Sequence, residues 1–390
     1  MQLQEKNHPS TKIVGAGPTG SLLAIALARA GSNITIVDPK SEVELINKSR
    51  AYAINHSSKQ LLETLQIWEE IESYACPFKK LFLSDQYLNK SVLYTSHDIN
   101  SINCQENNIG WTIEHHNLMR VLLEKIESTS KITQYFGVPY EPRSERFEFF
   151  IAADGLNSKT RTELGINTFR FTYKQGCVTA KVVIRGTCSD IAYEIFRPEG
   201  PMAILPMGEQ VFQVVWSAPI SLCKERCSLK ASIFLDKLAA VLPENLEPDL
   251  LLDKPTTFPV SLLLSKKLYK GRTILVGETA HACHPVGGQG LNLCWRDVNE
   301  LMNLFYKLNH NIIKYSLLQK TYSNNRRTDI ISILLLTDML VKMFSNKNIM
   351  LVYLRNYLLT ILEKSKLIRK LTLHSMAFGP MTILRRHRRF

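Results

Sequence analysis

Lys12-Ile-Val-Gly15-Ala-Gly17-Pro-Thr-Gly20 runs from a short apolar strand into the Leu- and Ala-rich run Ser21 to Ala30, which stops at Gly31. This is the order strand, tight turn, helix. Gly15 permits the turn, Gly17 lets the backbone approach a pyrophosphate, and Gly20 allows close helix-to-strand packing. The start of the helix adds free N–H groups and a partial positive charge. A second strand, Asn33-Ile-Thr-Ile-Val-Asp38, then ends in a carboxylate. An acid about 20 residues beyond the last glycine is placed for the ribose hydroxyls of an adenosine. These residues predict an α/β, Rossmann-like nucleotide domain.

Two later stretches extend the reading. Ile151-Ala-Ala-Asp154-Gly155-Leu-Asn-Ser158-Lys-Thr-Arg161 begins as a buried strand and turns at its end. Asp154 there can accept bonds from sugar hydroxyls, and Arg161 can hold the local geometry. A capping Asp before a helix is the plainer alternative for an isolated Asp-Gly pair. The third stretch, from Thr273-Ile-Leu-Val-Gly277-Glu278 through His284-Pro285-Val-Gly287-Gly288-Gln-Gly290-Leu291-Asn292 to Asp297, brings a strand to a glycine loop. That loop opens into a helix expected near Leu291, whose amides could stabilise negative charge on the pyrimidine end of a reduced flavin. Pro285 and the bare Gly287-Gly288 backbone leave room for a flat ring. The three stretches together point to a flavin nucleotide, FAD, as the resident cofactor.

The chain has 390 residues, of which 45% are hydrophobic, enough for two or three domains with sizeable cores. Its beginning lacks a basic stretch leading into a long apolar run, so a cytoplasmic location is expected. The cysteines, at 76, 104, 177, 188, 223, 227, 283 and 294, form no C-x-x-C pair and suit reduced thiols. His281, Cys283 and His284 are too tightly spaced for a closed tetrahedral site, and no metal is expected. These histidines read as loop-ordering, and Trp295 as core. The net charge of +13 is partly local, since the chain ends Leu384-Arg-Arg-His-Arg-Arg-Phe390. No nucleic-acid-binding motif accompanies it. A solvated tail or an anionic membrane surface accounts for it better.

Periodicity organises the rest. Residues 58–71 and 116–127 read as helices, and residues 81–96 as a β-hairpin turning near Asn89 and Lys90. From Phe169 to about Ser265 the pattern is mostly β, predicting an antiparallel sheet interrupted by one helix over 229–241. Beyond Asp297 the chain reads as helical to its end. Its most apolar parts, residues 330–344 and 349–361, are too short and too charged for membrane spans.

The motifs resemble those of the single-component FAD monooxygenases built on the para-hydroxybenzoate hydroxylase fold, and among them the hydroxylases of ubiquinone biosynthesis. The likeness runs from about Thr11 to Leu318. It rests on Ser49-Arg50-Ala-Tyr-Ala, Ile113-Glu-His-His-Asn-Leu118, Ala153-Asp-Gly-x-x-Ser-x-x-Arg161 and His284-Pro-x-Gly-Gly-Gln-Gly-Leu-Asn-Leu293. Gly200-Pro-Met-Ala-Ile-Leu-Pro206 and Val214-Val-Trp-Ser217 resemble the quinone branch in particular.

The resemblance implies that Gly15, Gly17, Gly20, Asp38 and Arg50 hold the adenosine and pyrophosphate, that Asp154 assists, and that residues 278 to 292 surround the ribityl chain and ring. It implies a discontinuous FAD domain (1–80, 97–165 and 266–320), a substrate domain (81–96 and 166–265) and a C-terminal helical region with a basic tail (321–390). It further implies a small phenolic or quinone substrate, NAD(P)H as electron donor and O2 as oxidant. Two departures stand out: Glu278 replaces the family's Asp, and the segment 131–150 is shorter than the usual meander. A flavin-dependent isoprenoid reductase and a weakly catalytic flavin-binding scaffold stay open as alternatives. No acid or base stands at a diagnostic spacing, so no catalytic residue is assigned.

Overall fold

The computed structural model describes residues 10–99, 107–139 and 147–380. The chain enters along β1 (Ser10–Val14), turns through the glycine loop into α1 (Pro18–Arg29) and returns along β2 (Asn33–Asp38). α2 (Glu42–Ile46), β3 (Ala51–Ile54), α3 (His56–Thr64), α4 (Trp68–Glu72) and β4 (Cys76–Phe78) follow, then the hairpin β5 (Lys80–Asp85) and β6 (Lys90–Thr95). β7 (Gly110–Glu114), α5 (His115–Glu127), β8 (Ile132–Phe136), β9 (Phe149–Ala152) and α6 (Lys159–Glu163) complete the first half. The long β10 (Thr168–Arg185) opens the second, with β11 (Ile191–Phe196), β12 (Met202–Gly208), β13 (Val211–Pro219), α7 (Ile220–Ser228), α8 (Ala231–Ala239), β14 (Glu247–Leu251) and β15 (Thr256–Ser265). β16 (Tyr269–Lys270), β17 (Thr273–Leu275) and β18 (His281–Ala282) then lead to α9 (Gln289–Asn309), α10 (Tyr315–Phe344), α11 (Ile349–Lys364) and α12 (Lys366–Phe378).

β1, β2, β8, β9 and β17 form a parallel sheet in the order β17-β9-β1-β2-β8, with β16 antiparallel at its edge. α1 packs between this sheet's neighbours α5 and α9, and so is buried from Leu22 to Ala28 with no polar face. That burial explains a helix made almost wholly of Leu, Ile and Ala. The second sheet runs β18-β15-β10-β13-β12-β11-β5-β6, with β14 also on β10, and β3-β7-β4 forms a small third sheet. On the second sheet, Val178, Ala180, Ile195, Ile204, Val214 and Trp216 share a core with Phe234 and Leu238 of α8. The opposite face, with Cys177, Ala192 and Phe196, belongs to the core of the nucleotide-binding half.

Several expectations need correction. The helix over 58–71 is two helices, because Gln66 takes a left-handed φ of 59°. There the Ile67 amide donates to Leu62 O and the Gln66 amide to Glu63 O, a Schellman-type end made without glycine. Ile67 and Trp68 are thereby turned into the core. The helix expected over 229–241 is α8, but a second helix, α7, precedes it; α7 buries only Cys223 and Arg226, so it leaves little apolar period to read. The sheet over 169–265 is antiparallel as expected, and one parallel pair, β5 with β11, joins the hairpin to it. α9 starts at Gln289, slightly before Leu291.

The apolar stretch 330–344 is mainly core: Ile330, Ile333, Leu334, Val341 and Phe344 are buried. No helix among the described residues is long and apolar enough to cross a membrane. The basic cluster at 385–389 lies outside the described residues.

Candidate active site

The three glycine-bearing stretches meet at the carboxyl ends of β1, β9 and β17. At the first, the Gly15 amide donates to Val37 O and the Ala16 amide donates to Asp38 Oδ2 at 2.7 Å. The Asp38 carboxylate therefore fixes the loop from β2. Its Oδ1 also accepts from the Lys40 amide at 2.9 Å, and the lone pairs left over are what it can offer a ribose. A Cβ on Gly20 would stand 1.8 Å from Gly15 O, so only glycine lets α1 approach the turn. A Cβ on Gly17 would meet nothing within 4 Å. The loop is thus closed on the protein side and open on the side where a pyrophosphate would lie, and the first-turn amides of α1 point that way.

Asp154 joins the second and third stretches. Its Oδ1 accepts from Thr279 Oγ1 at 3.1 Å and its Oδ2 from the Thr160 amide at 3.1 Å, while Thr279 Oγ1 accepts from the Gly155 amide at 3.0 Å. The Arg161 guanidinium donates to Thr279 O and Leu156 O. Asp154 thus adds to the cap that Ser158 gives α6 and braces the loop that carries Gly277 and Glu278. Thr279, which the sequence reading passed over, is the hinge of that contact. Glu278 projects from a single 3-10 turn with its side chain exposed. Its charge acts on Lys48 and Tyr52, as does that of Arg50, whose guanidinium lies 5.0 Å from the Tyr52 ring centre. Lys48 also feels Asp38, and burial pushes its ammonium down. Asp38, Lys48, Arg50 and Glu278 therefore converge, and Lys48 adds a cation the sequence reading did not single out.

Tyr52 is held by His115. The His115 ring is buried and neutral, held down to about 4 chiefly by burial, so its Nε2 donates to Leu45 O and its Nδ1 accepts from the Tyr52 hydroxyl at 2.8 Å. The motif at 113–118 thus anchors β3, the strand that Arg50 leads into.

The third stretch, expected to lie against the ring, leaves its proline and glycines open. Pro285, Gly287, Gly288 and Gly290 are partly exposed there. Gly288 has φ 62° with Ala53 Cβ 3.0 Å from where its own Cβ would stand, so a side chain is excluded twice over. Asn292, expected among the cofactor ligands, has a different task for its side chain. Its Oδ1 accepts from the Asn55 amide and Ser58 Oγ, and its Nδ2 donates to Ala53 O and Gly288 O. The amides of Gly290 and Leu291, in the first turn of α9, are the donors that remain for a ligand.

Behind the loop lies a buried ionic network. Asp297 Oδ2 accepts from His281 Nε2 at 2.7 Å and from the Gly277 amide at 2.9 Å, and its Oδ1 accepts from Arg326 Nε at 2.6 Å. Asp329 receives both Arg326 Nη1 and Arg296 Nη1. His281 thus orders the loop, and Trp295 is buried with its indole N–H on Pro18 O at 3.3 Å. His284 is also buried, and its Nδ1 accepts from the Val286 amide. Among the described residues no His, Cys, Asp and Glu cluster could hold a metal.

A glycine loop open to an anion, the helix starts of α1 and α9 and a glycine-lined shelf beside Asp38, Asp154 and Glu278 fit FAD. A profile described as "FAD binding domain" matches residues 9–332. The chain belongs to the FAD-binding domain family.

It is 26% identical over 321 residues to the 3-demethoxyubiquinol 3-hydroxylase of Escherichia coli, covering 76% of this chain and 80% of that protein. It is also 26% identical over 355 residues to the ubiquinone hydroxylase UbiL of Rhodospirillum rubrum, covering 86% and 81%. The fold matches the crystal structure of p-nitrophenol 4-monooxygenase from Pseudomonas putida with a TM-score of 0.77 at 15% identity, covering 96% of this chain and 98% of that one. The protein is an FAD-dependent monooxygenase on the para-hydroxybenzoate hydroxylase fold.

Proposed function

We propose that the protein hydroxylates a prenylated phenol or quinone precursor, with NAD(P)H as electron donor and O2 as oxidant. One observation carries the reading: the Gly287 amide at the ring shelf donates to Glu194 Oε2 of β11 at 3.2 Å. That contact sets the shelf against a sheet face bearing Ala192, Phe196, Leu83, Leu205 and Val215, an apolar wall suited to an aromatic ring with a hydrocarbon substituent. The relatives named for ubiquinone hydroxylation support the same substrate class.

In this reading residues 1–80, 97–165 and 266–320 hold FAD, residues 81–96 and 166–265 shape the substrate side, and residues 321–390 are a C-terminal helical region with a basic tail. Gly15, Gly17, Gly20, Asp38, Arg50 and Asp154 take the ADP half; Gly277, Glu278, Pro285, Gly288, Gly290, Leu291 and Asn292 lie along the flavin half, Asn292 through its backbone position. Bound FAD supplies the redox and oxygen chemistry. The chain's part is to seat the ring, exclude water and set the substrate against the shelf. The test is direct. Purified protein should be yellow or take up added FAD, consume NAD(P)H with phenols such as 2-prenylphenol, and place ¹⁸O from labelled O2 in the product. NAD(P)H oxidation with no labelled product would favour the isoprenoid reductase, and protein that stays colourless with added FAD would favour the scaffold.

The substrate's expected hydrophobicity gives meaning to α11. Its inner side is packed through Arg355 and Leu359, whereas Ile349, Met350, Tyr353 and Tyr357 are 63%, 78%, 69% and 64% exposed on one helical face. Lys347, Lys364 and Lys366 stand exposed at its ends. Such a face fits an anionic membrane surface, with each lysine near the leaflet contributing about 1 kcal/mol. Flotation with anionic vesicles should recover the protein in the lipid fraction at low salt. The pair Met350→Glu and Tyr353→Glu should cut that recovery about tenfold or more, and removal of residues 384–390 should lower it further. A wild-type protein that stays with the aqueous fraction would refute the docking.

A further inference from the structure

Glu194 is 8% exposed and lies mid-strand on β11. Registers across the sheet place it in one row with Thr179, Val215, Ala203 and Leu83. The strand alternation turns Ala192, Glu194 and Phe196 toward the nucleotide-binding half, while Tyr193 and Ile195 join the α7 and α8 side. The Gly287 amide engages Oε2, and among the described residues no other hydrogen bond reaches this carboxylate, which leaves Oε1 free. A buried carboxylate without a cation or a set of donors is costly. It sits where the proposed reaction needs an acceptor for a phenol.

The charged groups nearby are otherwise engaged or neutral. Asp85, on the same face at the end of β5, is paired with Arg355 of α11. From α10, Asp338 accepts from the Tyr173 hydroxyl. Burial pushes the Cys177 thiol of β10 up to about 12 and holds His284, on the shelf's approach, down to about 4, so both are uncharged near neutral pH. On α12, the His374 ring lies against Phe378. Among the described residues the influences on Glu194 are burial and the Gly287 amide, with no cation beside them. Burial pushes Glu194 up to about 7, against the opposing effect of the Gly287 amide. A carboxylate in that range is a far better match to a phenol than an exposed one.

We propose that Glu194 receives the substrate's phenolic hydroxyl, Oε1 accepting its hydrogen bond and taking its proton as the ring reacts. The phenol O–H bond breaks, an O–H bond forms at Oε1, and the negative charge passes from the carboxylate to the phenol oxygen. That charge enriches the ring carbons toward oxygen insertion. The assignment rests on the hydroxylase reading above, and it makes the sheet, rather than the glycine loops, the source of the acid–base group.

The test uses FAD-loaded protein and 2-prenylphenol. Glu194 is ionised above about 7, so wild-type affinity should be high at pH 8 and fall nearly tenfold by pH 6. At pH 7, binding should release protons, read by calorimetry in two buffers of different ionisation enthalpy. Glu194→Gln should keep its FAD, bind the phenol about tenfold more weakly at pH 8, lose the pH dependence and release no proton. Its turnover should drop about a hundredfold, and Glu194→Asp should recover part of the pH dependence. A wild-type affinity that is flat from pH 6 to 8, which needs no variant to measure, overturns the assignment. So does a Glu194→Gln protein with unchanged turnover. Wild-type protein that takes up no FAD removes the hydroxylase reading instead, and this assignment with it.

Discussion

Replacing Asp297 with Asn should lower the free energy of unfolding by about 3–5 kcal/mol, the cost of leaving a buried charge unpaired. Asp297 is fully buried and serves three donors, Gly277 N, His281 Nε2 and Arg326 Nε. An amide cannot accept all three as a charge and brings a donor of its own. Arg326 would be left with Asp329, which already serves Arg296. Burial alone would raise the Asp297 carboxyl, but His281 and Arg326 outweigh it and hold it down at about 2. A depressed acid contributes stability above its unfolded value, near 3.9, and loses it as pH falls toward its folded value. The gap between wild type and variant should therefore be full at pH 7 and shrink below about pH 4. Urea unfolding at both pH values checks it; a difference under about 1 kcal/mol at pH 7 would show that the network is not what holds the loop. Because the Gly277 amide is one of the three donors, FAD retention should weaken in the same variant.

This network also marks how far the sequence could be read. The β1 loop was legible because its demands are local: three glycines, a proline at the helix start and an acid at the next strand end all act within one βαβ unit. The same holds for Asp154 and for the shelf at 285–291. Asp297 was visible only as the end of a motif, since its partner Arg326 lies on α10 and nothing in the spacing announces the pair. Asn292 was read as a ligand because it sits in the shelf motif, yet its amide is spent on Ala53, Asn55, Ser58 and Gly288. Glu194, one acid within the stretch Ile191-Ala-Tyr-Glu-Ile-Phe196, has no reading from the sequence. Its meaning comes from the register across β12 and β5 and from the Gly287 amide, contacts between residues far apart in the chain. The parallel pairing of β5 with β11 has the same character. A hairpin pattern predicts its own two strands and leaves open which strand they join. The left-handed Gln66 stayed hidden for a different reason, because a residue with a side chain occupies a position that usually signals itself through glycine.

Gly20→Ala and Gly17→Ala should separate packing from binding at the first loop. In Gly20→Ala the new Cβ would stand 1.8 Å from Gly15 O and 2.9 Å from Gly15 C, and both are backbone atoms that cannot rotate away. α1 must retreat by about 1 Å or more to restore ordinary contact distances. Its sides are buried against α5 and α9, so the retreat disturbs the core as well as the loop. The variant should lose stability, by about 1–3 kcal/mol as for other overpacked sites. It should also lose FAD affinity by about a hundredfold, because the helix start no longer meets the pyrophosphate. Gly17→Ala is the opposite case. The backbone at 17 is extended, with φ −67° and ψ −179°, a conformation alanine adopts freely, and its Cβ would meet no protein atom within 4 Å. The apoprotein should therefore unfold within about 1 kcal/mol of wild type. Its methyl group would project on the open side of the loop, where the proposed site puts the pyrophosphate, and FAD uptake should still fall by about tenfold or more. Equilibrium titration of the apoproteins with FAD, followed by flavin fluorescence, measures both. A Gly17→Ala protein that binds FAD as tightly as wild type would mean that the pyrophosphate does not lie over this turn, whatever the fold around it.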